Sequence, residues 1–334
     1  MNEINFIDNN IDDSEESIRR AFNFLLNHSR ISEAFSKEEF KRVANYQNPK
    51  NFDTYFSKKF RHLLERAPNE KNKYLVAGGK RQLLSQIDLF LPKDIEAYVE
   101  PFVGGGALFF YLLPENAVLI DNNPVLINAY HVIKKSVDEL IELLKLHKNE
   151  EEYYYTIRNV DRTKEFKKWS DVEKASRTIY LNKCCYNGLY RVNSKGQFNV
   201  PFGKYKNPNF CHEKNLRAVH EVLQNVEIIH DSFKKCVDYA NENTFFYIDP
   251  PYIPLSKTSN FTSYTQENFT KENQIELKEV IDTLTSRGSK VMLSNSCHKS
   301  IMVLYEDYFI NVVRAKRVIN SKASKRGEIK EVLI

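Results

Sequence analysis

Glycine and proline are scarce in this chain, 10 and 11 of its 334 residues, so disorder is not the expectation. Cysteine is scarce too. Cys184, Cys185, Cys211, Cys236 and Cys297 form an odd set without C-x-x-C spacing, which argues against a disulfide framework or a zinc site. Reduced thiols in a cytoplasmic protein are the expectation. No stretch approaches about 18 uninterrupted apolar residues, and the opening MNEINFIDNNIDD is acidic where a secretion signal would be basic and then apolar. Strong charge of one sign is also missing. A net charge of +5 with 28% charged residues permits a nucleic-acid partner without demanding one.

What is present suffices for a large folded body: 42% hydrophobic residues over 334 positions can core one large α/β domain or two smaller ones. Residues 1–70 carry helical periodicity (SEESIRRAFNFLL, SKEEFKRVA, TYFSKKFRHLLER) and no catalytic pattern, with APNEKNK at 67–73 as a linker. From Tyr74 short apolar runs alternate with helical stretches, the mark of a mainly parallel sheet. The expected strands are AYVEPFV, AVLID, VEIIH, FFYID and KVMLSN. FINVVRAKRVIN and EIKEVLI then predict an antiparallel hairpin that closes the sheet. An insert at 131–221 begins helical and ends in YNGLYRVNSKGQFNVPFGKYKNP, whose NG, SKG, FG and NP breaks predict loops and a small hairpin. Basic and aromatic residues interleave there, as on a nucleic-acid surface.

Four motifs can carry chemistry. In EPFVGGGALFF a strand runs into glycines and a helix, so backbone N–H groups can approach a ligand at a helix start; Phe109 occupies the third glycine position of a dinucleotide fingerprint and disfavours that site. Asp121 ends the next strand, either as an acceptor for ribose hydroxyls or as a cap for the helix opened by Asn-Pro. In AGGKRQLLSQI, Lys80 sits at a helix start, where a cation is unfavourable unless an anion is near; a cofactor carboxylate or a DNA phosphate would supply it, and the alternative is a solvated lysine on a glycine turn. The fourth is FFYIDPPY. Asp249 is an acceptor, Pro250 and Pro251 offer no N–H, and Tyr252 presents a flat face. Together these fit a planar substrate with an exocyclic amine.

These residues resemble the Dam-like family of DNA adenine-N6 methyltransferases (D12 class, alpha group), as found in type II restriction-modification systems. The likeness runs from about Lys73 to the end, in the family's order: AGGK, PFVGGGALFF, the insert, DPPY and LSNS. It implies a Rossmann-like methyltransferase fold with catalytic parts at 73–130 and 222–334, the insert as a target-recognition subdomain, and a helical extension at 1–70. It implies S-adenosyl-L-methionine as cofactor, held by Val76, Lys80, Phe102, Gly104, Gly106, Asp121 and Asp249, with no metal. Asp249, Pro250, Pro251 and Tyr252 would be catalytic. Double-stranded DNA would meet Tyr186, Asn187, Leu189, Arg191, Pro201, Lys204 and Tyr205, with Arg191 reading guanine or holding a phosphate.

Relatives usually carry Lys-Trp before the Gly-Gly-Lys, where this chain has Leu75 and Val76. The expected target is therefore an N-A-T-N′ palindrome, GATC favoured and CATG an option, protected against a cognate restriction endonuclease. Two other readings stand beside it: cytosine-N4 transfer, because that amine is chemically alike, and a DNA-binding regulator with an inactive transferase domain.

Overall fold

The chain divides between Asn72 and Lys73, and a computed structural model describes residues of the second part: Lys80, 83–252, 269–316 and 328–334. The helical readings over 1–70, the linker at 67–73, and Leu75 and Val76 lie outside the described residues. A seven-stranded sheet organises this part, in the order β3-β2-β1-β4-β5-β7-β6. The strands are β1 (Ala97–Glu100), β2 (Ala117–Asp121), β3 (Val226–His230), β4 (Thr244–Ile248), β5 (Lys290–Ser296), β6 (Asn311–Lys316) and β7 (Glu328–Leu333). The first five run parallel. β7 enters antiparallel between β5 and β6, so the last strand of the closing hairpin, not the first, joins the parallel body. This is the α/β arrangement of a Rossmann-like methyltransferase.

Alternation along the strands sends side chains to two cores. Tyr98, Leu119, Phe245, Tyr247 and Met292 pack on one face with Leu108 and Phe109; Val99, Ile120, Phe246, Ile248 and Leu293 pack on the other with Leu277, Ile281 and Leu284. Burial on both faces is why these strands read as continuous apolar runs. β4 is the extreme case, buried at all five positions. Strand order reverses between β1 and β4, and an open α/β sheet binds ligands in the crevice beyond the carboxyl ends at that point. No helix among the described residues is long and apolar enough to cross a membrane.

Four helices between β2 and β3 carry a third core: α3 (Pro124–Lys135), α4 (Val137–Lys145), α5 (Glu151–Asn159) and α6 (Asp171–Cys184), with α7 (Glu213–Leu223) returning to β3. α1 (Leu84–Ile87) and α2 (Ala107–Leu112) precede them. The helical run expected after Asp121 breaks at Ser136, whose φ of −140° ends α3 before α4 begins. In the third core, His147 stacks on Tyr180 at 4.2 Å and 13°. Its Nδ1 lies 2.9 Å from Tyr153 Oη and its Nε2 3.0 Å from Ser176 Oγ.

Burial pushes the His147 imidazole down to about 4. The folded state therefore binds fewer protons than the unfolded chain between pH 6.5 and about 4, and stability from this group is complete above 6.5 and lost as pH falls through that window. Urea unfolding of the wild type and His147→Phe across this range should give a steeper loss in the wild type, by on the order of 1–2 kcal/mol after allowance for solvent screening. Parallel curves would contradict the assignment.

Candidate active site and nucleic-acid interface

The glycine loop after β1 is shaped by backbone requirements. Gly104 and Gly106 have φ of 46° and 62°, a region that glycine enters without strain. A Cβ on Gly106 would lie 3.0 Å from both Phe110 Cε2 and Tyr130 Oη. Asp121 at the end of β2 binds this loop: Oδ2 accepts the Gly104 N–H at 3.0 Å and Oδ1 the Asn123 N–H at 2.9 Å. The cap of α3 is Asn123, whose side chain accepts from Val125 N and Leu126 N, with Pro124 in the first turn. Asp121 is thus not the cap, which removes one of its two readings, and each of its oxygens retains a lone pair. Phe102 stacks on Phe233 at 5.3 Å and meets Phe269 edge-on at 5.7 Å.

Lys80 reaches the carboxyl edge of the sheet. Its Nζ lies 3.1 Å from Asp249 Oδ1 and 2.7 Å from Glu331 Oε2. It donates to Ser294 Oγ at 2.7 Å and to Tyr252 Oη at 2.5 Å, and lies 5.0 Å from the Tyr252 ring centre. The anions that a lysine needs at this position come from the chain's own β4 and β7 ends. The Lys80 ammonium is held well above the ordinary lysine range: burial works against the charge, but Asp249 and Glu331 outweigh it. Burial raises the Asp249 carboxyl and Lys80 pulls it back. Asp121 is raised by burial, against its two backbone hydrogen bonds.

Three residues in this region had no place among the expected site positions. Glu100, at the end of β1, is buried, accepts the Tyr98 hydroxyl at 2.8 Å, and is pushed well up by burial. Its place at a strand end inside EPFVGGG was a usable signal. Ser294 lay inside LSNS. Glu331 had no local signal, because its position depends on β7 pairing beside β5, with Ser296 opposite Glu331.

Val76 lies outside the described residues; the other expected cofactor and catalytic positions gather at the ends of β1, β2 and β4. Expected DNA contacts gather in a hairpin after α6. Cys185 bridges Phe202 and Val192 bridges Phe198. Asn193 closes its turn, Oδ1 accepting from Lys195 N and Gln197 N at 3.0 Å each. Tyr186 and Tyr205 are 52% and 42% exposed, and Asn187, Pro201 and Lys204 are exposed beside them, while Leu189 and Arg191 are half-buried. Tyr205 Oη accepts the Asn187 N–H at 2.9 Å. Arg191 donates from Nε to Asn199 Oδ1 at 2.7 Å and from Nη2 to Asn199 O at 3.0 Å, which leaves the Nη1 end of the fork pointing elsewhere.

The basic residues of this segment are not all available to DNA. Arg177 is 6% exposed and donates to Asp161, Ile157 O and Arg158 O. Asp161 also accepts the Phe198 N–H at 2.9 Å, and Arg162 donates to Phe198 O at 3.0 Å, so this cluster ties the hairpin to α6. At the hairpin base a Cβ on Gly203 would lie 2.7 Å from Cys185 O and 2.6 Å from Tyr205 Cε2. Gly203→Ala should lower the unfolding free energy by roughly 1–3 kcal/mol in urea titration; unchanged stability would show that the base of the hairpin yields freely.

The family model described as D12 class N6 adenine-specific DNA methyltransferase matches residues 77–319. The Type II methyltransferase M1.LlaDCHI of Lactococcus lactis subsp. cremoris is 46% identical over 261 residues, 77% of this chain and 92% of the relative. The Type II methyltransferase M.MjaIII of Methanocaldococcus jannaschii is 45% identical over 278 residues, 77% of this chain and 96% of the relative. The DNA adenine methylase of Escherichia coli strain K12 is 38% identical over 262 residues, 77% of this chain and 92% of the relative. Both the cytosine-N4 reading and the inactive-regulator reading give way to these matches. With its parallel sheet, its DPPY elbow at the carboxyl end of β4 and matches that span nearly whole relatives, the chain belongs to the D12 class of N6 adenine-specific DNA methyltransferases, enzymes that act on DNA.

Proposed function

We propose that the protein moves a methyl group from S-adenosylmethionine to adenine N6 within a GATC palindrome, and that this mark protects DNA from a paired restriction endonuclease. The observation that carries the reading is the charge arrangement at the sheet edge: Asp249 follows β4 at 3.1 Å from Lys80, with Glu100 and Asp121 at the neighbouring strand ends. Among the described residues at this edge, carboxyl groups outnumber the one lysine. That set of acceptors suits a cofactor carrying an ammonium and a sulfonium, and the glycine loop beside Asp121 suits its close approach. Lys80, Phe102, Gly104, Gly106, Asp121 and Asp249 would hold it. When bound, the cofactor supplies an electrophilic methyl group.

The protein's own part is positioning. A target adenine inside a duplex must leave the stack, at a cost of a few kcal/mol, and Tyr252, 37% exposed, offers the ring on which it can rest. The N6 lone pair is delocalised into the base. Asp249 and the Pro250 carbonyl would accept its two N–H bonds and draw the nitrogen toward sp³ geometry, turning its lone pair toward the methyl group that the cofactor would supply. The N6 proton then departs toward Asp249.

For the target sequence, the support is the likeness of YNGLYRVNSKGQFNVPFGKYKNP to the GATC-modifying branch. Asn199 occupies the Nε side of Arg191, so a guanine would be read end-on by Nη1 and Nη2. Leu189 and Pro201 suit a thymine methyl. Tyr186, Asn187, Lys204 and Tyr205 complete the surface. The protective role is supported by two relatives named as type II methyltransferases. Methylation-sensitive sequencing of DNA from cells expressing the gene should find N6-methyladenine at GATC, and Asp249→Ala should lower the rate in vitro by roughly 10²–10³. Unmodified GATC beside modified CATG would overturn the outer base pair.

A further inference from the structure

Glu331 lies on β7, far in sequence from the four motifs that can carry chemistry, yet its side chain is only 12% exposed and sits inside the charged cluster. Its Oε2 accepts from Lys80 Nζ at 2.7 Å and from Tyr252 Oη at 2.7 Å. Lys80 therefore faces four oxygens: Tyr252 Oη at 2.5 Å, Ser294 Oγ at 2.7 Å, Glu331 Oε2 at 2.7 Å and Asp249 Oδ1 at 3.1 Å. An ammonium has three protons. Four acceptors therefore compete for three protons, and Asp249, hydrogen-bonded too, holds the longest of the four contacts. A lysine closed fully on Asp249 would neutralise the acceptor meant for the adenine amine; a lysine held by nothing else could do little but close.

We propose that Glu331 is a positioning residue, which anchors Lys80 and the Tyr252 hydroxyl and so keeps Lys80 from closing on Asp249, leaving that carboxylate free to accept the adenine N–H. The inference rests on the reading of Asp249 given under Proposed function. It gives the closing hairpin a catalytic purpose: β7 brings its carboxylate to the carboxyl edge of the parallel strands only because it inserts between β5 and β6. The Tyr252 ring is fixed by the same atom, since its hydroxyl donates to Glu331 while accepting from Lys80.

The groups facing Asp249 are Lys80, Glu331, Glu100, Tyr247 and Tyr252. Removing the Glu331 charge takes away a neighbour that raises the Asp249 carboxyl, and weakens the acceptor that competes with Asp249 for Lys80. Both changes have one sign. The test is the single-turnover methylation rate on a duplex oligonucleotide containing the modified site, at saturating S-adenosylmethionine, over a pH series, for wild type, Glu331→Gln and Asp249→Asn. Glu331→Gln should lose roughly 10- to 100-fold in plateau rate, with its acid limb moved down by about 0.5 pH unit or more. With 2-aminopurine at the target position, its fluorescence on binding should also change, because the Tyr252 ring is less well held. A wild-type rate in Glu331→Gln, or a loss with the acid limb unmoved, overturns the proposal while Asp249→Asn remains inactive. Full activity in Asp249→Asn overturns the underlying reading and this proposal with it. Should Glu331→Gln not fold, Glu331→Asp keeps the charge but shortens the reach; a rate loss supports the anchor, and a wild-type rate overturns it.

Discussion

The site depends on one lysine ammonium shared among more oxygens than it has protons. Lys80 joins Asp249 after β4, Ser294 on β5, Glu331 on β7 and the Tyr252 hydroxyl, four points that lie 169 to 251 residues away along the chain and meet it only because the sheet folds them together. Burying such a cluster is unfavourable unless each charge is paired, and removing one partner leaves the others exposed to the full cost. The arrangement therefore requires the parallel order β1-β4-β5 and the antiparallel entry of β7 together. Without β7 in the middle, Lys80 and Tyr252 would lose their common acceptor.

Local chemistry made much of the fold legible. AVLID and VEIIH became β2 and β3 with their ends where the apolar runs stop, and FFYID lost only its acid, since the prolines after Asp249 end the ladder. AYVEPFV was shorter than it read, because Pro101 ends β1 at Glu100. Lys80 was legible as a cation in want of an anion, but the identity of the anion was not. Glu331 and Asp249 reach it through tertiary pairing, and no spacing along the chain encodes that.

The insert shows the same division. Its turn residues announced a small hairpin, and Cys185–Phe202 and Val192–Phe198 bridges form it. Its basic composition overstated the surface offered to DNA, because composition does not separate a solvated arginine from a buried one. Arg177 belongs to the scaffold, where it and Asp161 hold Phe198, and half of the Arg191 fork belongs to Asn199. Those side chains are fixed within the protein itself, so Tyr186, Asn187, Lys204 and Tyr205, the exposed residues proposed to meet DNA, stand on a braced frame.

The most direct test of this account is a crystal structure of the protein with a non-transferring S-adenosylmethionine analogue and duplex DNA containing GATC. The account predicts the target adenine outside the helix, its ring stacked on Tyr252, and N6 within hydrogen-bond distance of the Asp249 carboxylate and the Pro250 carbonyl, with Lys80 still held by Glu331. An adenine seated away from Asp249, or an Asp249 carboxylate wholly engaged by Lys80, would contradict it.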